Sequence, residues 1–193
     1  MSIGRRAAML ALLPLAPRAA RGQEDPALAR VMAALAAVRE RRARFTEERA
    51  IPELDLPLPS EGTLRWTAPD TLEKHTTWPI EERISVARGR LSYERRDRGI
   101  QREFGLDEQP EMASLVEAIR GTLAGDLAGL RRHYDVGFDL RQDGSWRMVL
   151  TPLSLRVRGA VQRILVTGEG AELRGVDTEG HGGVTRMRIA PAP

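Results

Sequence analysis

The sequence has 193 residues, with 30 basic and 27 acidic side chains, and it contains no cysteine. This length suits one domain with a sizeable core, and the lack of cysteine excludes disulfides and thiolate metal sites. Aromatic residues make up only 4% of the chain, so the core must be built mainly from leucine, alanine and valine.

The N-terminus has the order of an export signal. Two arginines precede an apolar run at 7–16, which is too short to span a bilayer, and a small-x-small cleavage site follows. We therefore predict a signal peptide over residues 1–22, cleaved near Gly22-Gln23, and a periplasmic domain over 23–193. The alternative is an N-terminal helix that packs on the domain.

Cleavage would also change the charge balance. Residues 1–22 carry four arginines and no acidic side chain, so the mature chain would have 26 basic and 27 acidic residues. A net charge of −1 removes the main argument for nucleic-acid binding, and we expect no nucleic-acid partner.

The mature chain begins with a predicted helix. Asp25 is a good N-cap residue, and Pro26 suits the first helical position. The run 39–44 is rich in arginine and would be a favourable cationic end for this helix. Apolar side chains recur at helical spacing at Leu28, Val31, Met32, Leu35 and Val38.

Two strands follow, at 45–49 and 62–67, joined by a segment that contains an apolar run with regularly spaced prolines. Leu64 and Trp66 point to one face of the second strand, because side chains alternate along a strand. Pro69 ends this strand, since proline has no backbone N–H to donate to a sheet.

An antiparallel meander continues the pattern. Ile84 and Val86 share one face of a strand, and Leu91 and Tyr93 share one face of the next. The charged run 94–98 is interpreted as a solvated hairpin end. The strands are predicted at 71–77, at 83–87, from 91 onward and at 100–104.

A helical region interrupts the strands from Gln109 to His133. Gly121 and Gly125 interrupt its apolar stripe, which indicates two short helices with a hinge between them. The stripe packs against the apolar face of the sheet, either as part of an ordinary α+β core or as a lid. The residues of the predicted lid are Met112, Leu115, Val116, Ile119 and Leu123.

The remainder is predicted to be β-structure. Asp143-Gly144 is a strong signal for a two-residue hairpin turn. Residues 152–159 form a connector, and the tail at 190–193 is expected to be loose. Strands are predicted at 134–140, 146–151, 162–167, 172–177 and 184–189.

Motifs for catalysis or metal binding are absent from the sequence. The three histidines lie in unrelated segments without metal-ligand spacing, and no serine lies in G-x-S-x-G. The run Gly168-Glu169-Gly170 lacks the third glycine of a dinucleotide-binding loop. We therefore expect no metal, no cofactor and no enzymatic activity.

Three short motifs resemble the LolA family of periplasmic outer-membrane lipoprotein carriers. Phe45-Thr46-Glu47, Gly62-x-Leu64 and Pro69-x-x-Leu72 are similar in order and spacing to S-F-T-Q, G-x-L and R-P-x-x-F of that family. The resemblance extends loosely to the C-terminus and is greatest to the divergent LolA-related proteins. Glu47 stands where the family commonly has Gln, and Ala68 stands where it commonly has Arg.

The resemblance implies an α+β fold, a curved and incompletely closed antiparallel β-barrel with helices covering its apolar concave face. It implies a monomer that carries acyl chains of a lipid or lipoprotein, with an inner-membrane exporter and an outer-membrane acceptor as partners. In the family the arginine matching Ala68 bonds to the lid helices, so here the lid should be held mainly by apolar contacts. The predicted lipid-binding residues are Leu64, Trp66, Leu72, Ile84, Val86, Leu91 and Tyr93.

Two hypotheses therefore remain open from the sequence. In the first, the chain is a periplasmic carrier with acyl chains in an apolar cavity. In the second, it is a non-enzymatic interaction or sensor module in which the same curved sheet encloses a dry core.

Overall fold

The computed structural model describes residues 25–192. The predicted signal peptide and its cleavage site lie outside this range. None of the helices within it is both long and apolar enough to cross a bilayer. The helices are α1 (Pro26–Ala37), α2 (Pro110–Leu123), α3 (Leu127–His133) and α4 (Leu155–Arg158). The strands are β1 (Glu40–Ala50), β2 (Leu58–Thr67), β3 (Thr71–Trp78), β4 (Glu82–Ala87), β5 (Arg90–Arg95), β6 (Ile100–Gly105), β7 (Tyr134–Leu140), β8 (Ser145–Pro152), β9 (Arg163–Glu169), β10 (Glu172–Gly180) and β11 (Gly183–Pro191).

All eleven strands form one antiparallel sheet in the order β6-β5-β4-β3-β2-β1-β11-β10-β9-β8-β7. The first and last strands of the chain, β1 and β11, pair at the centre of the sheet, where Phe45 lies opposite Ile189. Because β6 and β7 end the order and do not pair, the barrel is not closed. The predicted fold class, a curved and incompletely closed antiparallel β-barrel with helices on its apolar face, is confirmed.

The main core lies between the helices and one half of the sheet. Its buried strand residues come from β7 to β10, and Trp66 of β2 is the one member from the other half among the described residues. The helices pack on this half because its inner positions carry large apolar side chains at every second residue. The strand members are Trp66, Tyr134, Trp146, Met148, Leu150, Ile164, Val166, Leu173 and Val176.

Helix α1 begins as predicted, with the Asp25 carboxylate accepting a hydrogen bond of 2.8 Å from the backbone N–H of Ala27. Its predicted cationic end is wrong, because the helix ends at Ala37 and the arginine-rich run forms the start of β1. Arg42 and Arg44 are exposed while Phe45 is buried, so the run has the two-residue period of a strand.

The predicted pair of helices in the middle of the chain is confirmed, but the prediction that Gly121 interrupts the first of them is wrong. Gly121 lies inside α2, where an added Cβ would meet the Leu130 side chain of α3 at 2.8 Å. It therefore permits close packing of the two helices. Gly125 forms the turn between them, with a φ of 67° that favours glycine.

The C-terminal tail is also more ordered than predicted. Ala190 and Pro191 belong to β11, where they pair with Arg44 and Ala43 of β1. The tail has a partner because β1 starts five residues earlier than the sequence analysis placed it, at Glu40 and not at Phe45. The predicted connector before β9 contains the short helix α4.

Candidate functional site

The seven predicted lipid-binding residues all lie on one face of the sheet, in two rows across β2 to β5. The two rows lie two residues apart along each strand, so they share one face of the sheet. That face carries the helices, because Trp66 and Leu72 pack in and against the core that the helices cover. Strand register aligns the first set, here called the buried row, as Trp66, Leu72, Val86 and Leu91. The second set, here called the open row, is Leu64, Lys74, Ile84 and Tyr93.

The two rows differ in burial. Trp66, Val86 and Leu91 are only 2 to 4% exposed, and Leu72 packs against the main core. Every member of the open row is half-buried, and none belongs to the main core. The open row is therefore the part of this face on which an acyl chain would find apolar surface, and its contact with cargo stays a prediction.

Tyr93 gives the open row a polar end. Its hydroxyl group donates a hydrogen bond of 3.0 Å to the Glu82 carboxylate, and Arg95 lies 3.6 Å from the same oxygen. Burial, followed by the bond to Glu82, raises the pKa of Tyr93, so the hydroxyl stays protonated near neutral pH. The two rows together are here called the wall. The wall is apolar along its buried row and amphipathic along its open row.

The predicted lid residues divide into two groups. Leu123 is buried, and Leu115 and Ile119 pack against the main core. Val116 is half-buried and Met112 is 38% exposed, and neither belongs to that core. Helix α2 is thus anchored by three of the five residues and leaves apolar side chains free of core packing at the other two.

Polar contacts also tie the helices to the sheet, which the sequence analysis did not predict. The Tyr134 hydroxyl of β7 donates to the Ser114 carbonyl oxygen of α2 and also bonds to the Ser114 hydroxyl. Ala68 packs on the core without a polar contribution from its side chain. The expectation that the lid is held mainly by apolar contacts stays a prediction, and α2 has in addition a direct side-chain tie to the sheet.

Arg41 provides the second polar tie. Its guanidinium group donates to the carbonyl oxygen of Leu35 in the last turn of α1, at 3.1 Å, and to that of Ala171. Burial lowers the pKa of Arg41, and the charge of Glu172 opposes this. Arg41 pairs in register with Trp66, and the Nε atom of Arg41 and the Nε1 atom of Trp66 are both buried without a partner in the described part of the chain.

A depression of about 440 Å³ lies on the opposite face of the sheet. Its rim is polar and charged and includes Arg44, Thr46, Glu61 and Arg188, which point away from Phe45 by strand parity. Such a surface does not suit an acyl chain, because covering charged groups with hydrocarbon costs free energy. Among residues 25–192, no group of three or more potential metal ligands is found.

Comparison with known proteins gave one family and several distant structures. Residues 20–192 match the family model described as "Outer membrane lipoprotein carrier protein LolA-like". No curated protein matches the sequence. Among solved structures, a LolA superfamily protein from Nitrosomonas europaea is 11% identical, with a TM-score of 0.44 over 83% of this chain and 90% of that one.

Two further structures have similar scores. LprF from Mycobacterium bovis is 11% identical, with a TM-score of 0.37 over 89% of this chain and 96% of that chain. A DUF1329 family protein from Desulfovibrio piger is 11% identical, with a TM-score of 0.43 over 84% of this chain and 88% of that chain.

Proposed function

Because the chain belongs to the LolA-like family of outer membrane lipoprotein carrier proteins, we propose that it is a periplasmic carrier for acyl chains. It binds the acyl chains of a lipid or lipoprotein against the open row and moves them between membranes. In this proposal it acts as a monomer and catalyses no reaction. It receives cargo from an inner-membrane exporter and passes it to an outer-membrane acceptor.

The half-buried open row is the observation that carries this proposal. Its apolar members, Leu64 and Ile84, lie beside the buried row and outside the main core. Burial of apolar surface contributes about 25 cal/mol per Å², or about 0.8 kcal/mol for each methylene group. A long acyl chain that covers part of this row would therefore gain several kcal/mol relative to the same chain in water. This gain offsets the cost of leaving a membrane only if the open row is not already covered by other side chains.

Helix α2 offers a second apolar surface for the same cargo. Met112 and Val116 are free of the main core, while their neighbours on the helix hold it in place. An acyl chain that contacted both the open row and this side of α2 would be covered from two sides. Such an arrangement favours a carrier over a module with a dry core, in which these side chains would be expected to pack fully.

The cargo is tested by mass spectrometry of lipids extracted from natively purified protein. We expect acyl-chain lipid in the extract, in an amount that scales with the protein, because an empty apolar wall would be exposed to water. Protein that is free of lipid after purification without detergent would argue for the interaction or sensor module.

The export signal is tested by N-terminal sequencing. We propose that residues 1–22 direct export and are then removed, because a charged start, an apolar run and a small-x-small site follow in the order of a signal peptide. Protein isolated from the periplasm is expected to begin at Gln23 or within a few residues of it. A periplasmic protein that still begins at Met1 would contradict the signal peptide.

A further inference from the structure

A charged cluster lies on the helix-facing side of β1 to β3, among apolar neighbours. The ammonium group of Lys74 donates to both carboxylate oxygens of Glu47, at 2.8 and 2.7 Å. The Ser60 hydroxyl donates to the same carboxylate at 3.3 Å. The side chains of Lys74 and Glu47 are only 26% and 15% exposed, so this ion pair is largely removed from water.

Lys74 lies in the middle of the open row. It pairs in register with Leu64 on one side and Ile84 on the other, and its Nζ atom lies 4.8 Å from the centre of the Phe45 ring. Lys74 is also the only lysine in the sequence. A hydrocarbon chain laid along the open row would therefore pass directly over the ion pair.

Covering this pair with hydrocarbon alone would be unfavourable. Removal of water from two charged groups costs free energy unless their remaining hydrogen-bonding positions are satisfied. An ammonium group has three N–H donors, and Glu47 accepts two of those of Lys74. One donor of Lys74 is thus left for a ligand.

The charge of the pair indicates which ligand group fits this donor. Glu47 already neutralises Lys74, so a carboxylate or phosphate would meet no net positive charge and would be repelled by Glu47. A neutral acceptor needs only the free N–H. The ester or amide carbonyl that joins an acyl chain to its polar group is such an acceptor, and it is attached to the hydrocarbon chain itself.

We propose that Glu47 and Lys74 form a polar subsite that receives the ester or amide carbonyl oxygen of the cargo and selects neutral acyl esters and amides over free fatty acids. This inference rests on the proposed function, because it assumes that acyl chains bind along the open row. The subsite would set how deep the chain enters and would keep the ion pair hydrogen-bonded when the cargo excludes water.

The substitution Glu47→Gln tests this selectivity. It keeps the shape of the side chain but leaves the positive charge of Lys74 without a counter-charge. Dissociation constants are measured at pH 8 for two probes, monopalmitoylglycerol and palmitate, on the wild-type protein and on the variant. We expect the wild type to prefer the ester. We expect Glu47→Gln to shift the ratio of the two dissociation constants toward palmitate by about tenfold, which is the size of effect that one hydrogen bond to a charged group has on affinity.

Glu48→Gln is the matched control. Glu48 follows Glu47 in β1 but is exposed and lies on the opposite face of the sheet. The ratio of the two dissociation constants for Glu48→Gln should therefore equal that of the wild type. A wild type that binds both probes, with the same ratio in Glu47→Gln as in Glu48→Gln, would overturn the polar subsite and leave the carrier function intact. A wild type that binds neither probe would overturn the carrier function and the subsite with it.

Discussion

Replacing Leu64 with Arg is expected to weaken the binding of a neutral fluorescent monoacylglycerol by more than about tenfold, which corresponds to about 1.4 kcal/mol. Leu64 is half-buried in the open row and pairs in register with Lys74. A second cation at this point would have to lose water when an acyl chain covers the row. A neutral ligand is used because a fatty-acid carboxylate would be attracted to the new charge and would mask the effect.

Thr63→Arg provides the matched control for this experiment. Thr63 is the preceding residue of β2, is exposed and points to the opposite face. The substitution Thr63→Arg adds the same charge to the same strand but on the face away from the two rows. Its affinity for the monoacylglycerol should therefore equal that of the wild type. Circular dichroism confirms that both variants are folded. Equal binding by Leu64→Arg and Thr63→Arg would show that the acyl chain binds elsewhere.

Trp66→Ala is expected to lower the free energy of unfolding by about 3 to 5 kcal/mol, because it removes a large side chain from a packed core. Trp66 is 2% exposed and belongs to the cluster that joins the helices to β7 to β10. Its loss would leave a cavity in that cluster. Equilibrium unfolding in urea measures the change.

Trp78→Ala is the control for residue type. Trp78 ends β3 and is 50% exposed, so its replacement should change the free energy of unfolding by no more than about 0.5 kcal/mol. If Trp66→Ala were as stable as Trp78→Ala, Trp66 would not be a core residue, and its role would lie in cargo binding as the sequence suggested.

The face of each wall residue could be predicted from the sequence, but its depth could not. Alternation along β2 correctly placed Leu64 and Trp66 on one side of the sheet. Parity does not distinguish them, because burial depends on which end of the strand the helices cover. That packing brings residues that are far apart in the chain, such as Trp66 and Trp146, into one buried cluster. No local sequence pattern predicts it.

Charged residues of the wall were missed for two different reasons. Lys74 follows Leu72 at strand spacing, so alternation already placed it on the inner face, and the search for apolar residues passed over it. Arg41 was missed because the arginine-rich run was assigned to the end of a helix. In the structure that run is β1, and Arg41 points inward to the end of α1.

Glu47 and Ala68 are the two positions at which the sequence departs from the LolA motifs that it resembles. Ala68 lacks the polar group commonly found at this position, and Arg41 and Tyr134 supply polar ties to α1 and α2 from other strands. Glu47 replaces the commonly found Gln and forms the ion pair with Lys74. Both differences lie on the inner face of the sheet.

The most direct test of the carrier function is the lipid content of three proteins purified side by side from the periplasm without detergent: the wild type, Leu64→Arg and Thr63→Arg. Extracts are analysed by mass spectrometry and normalised to protein. We expect acyl-chain lipid in the wild type and in Thr63→Arg, and little or none in Leu64→Arg. Equal lipid in all three, or none in the wild type, would contradict the binding of acyl cargo on the open row.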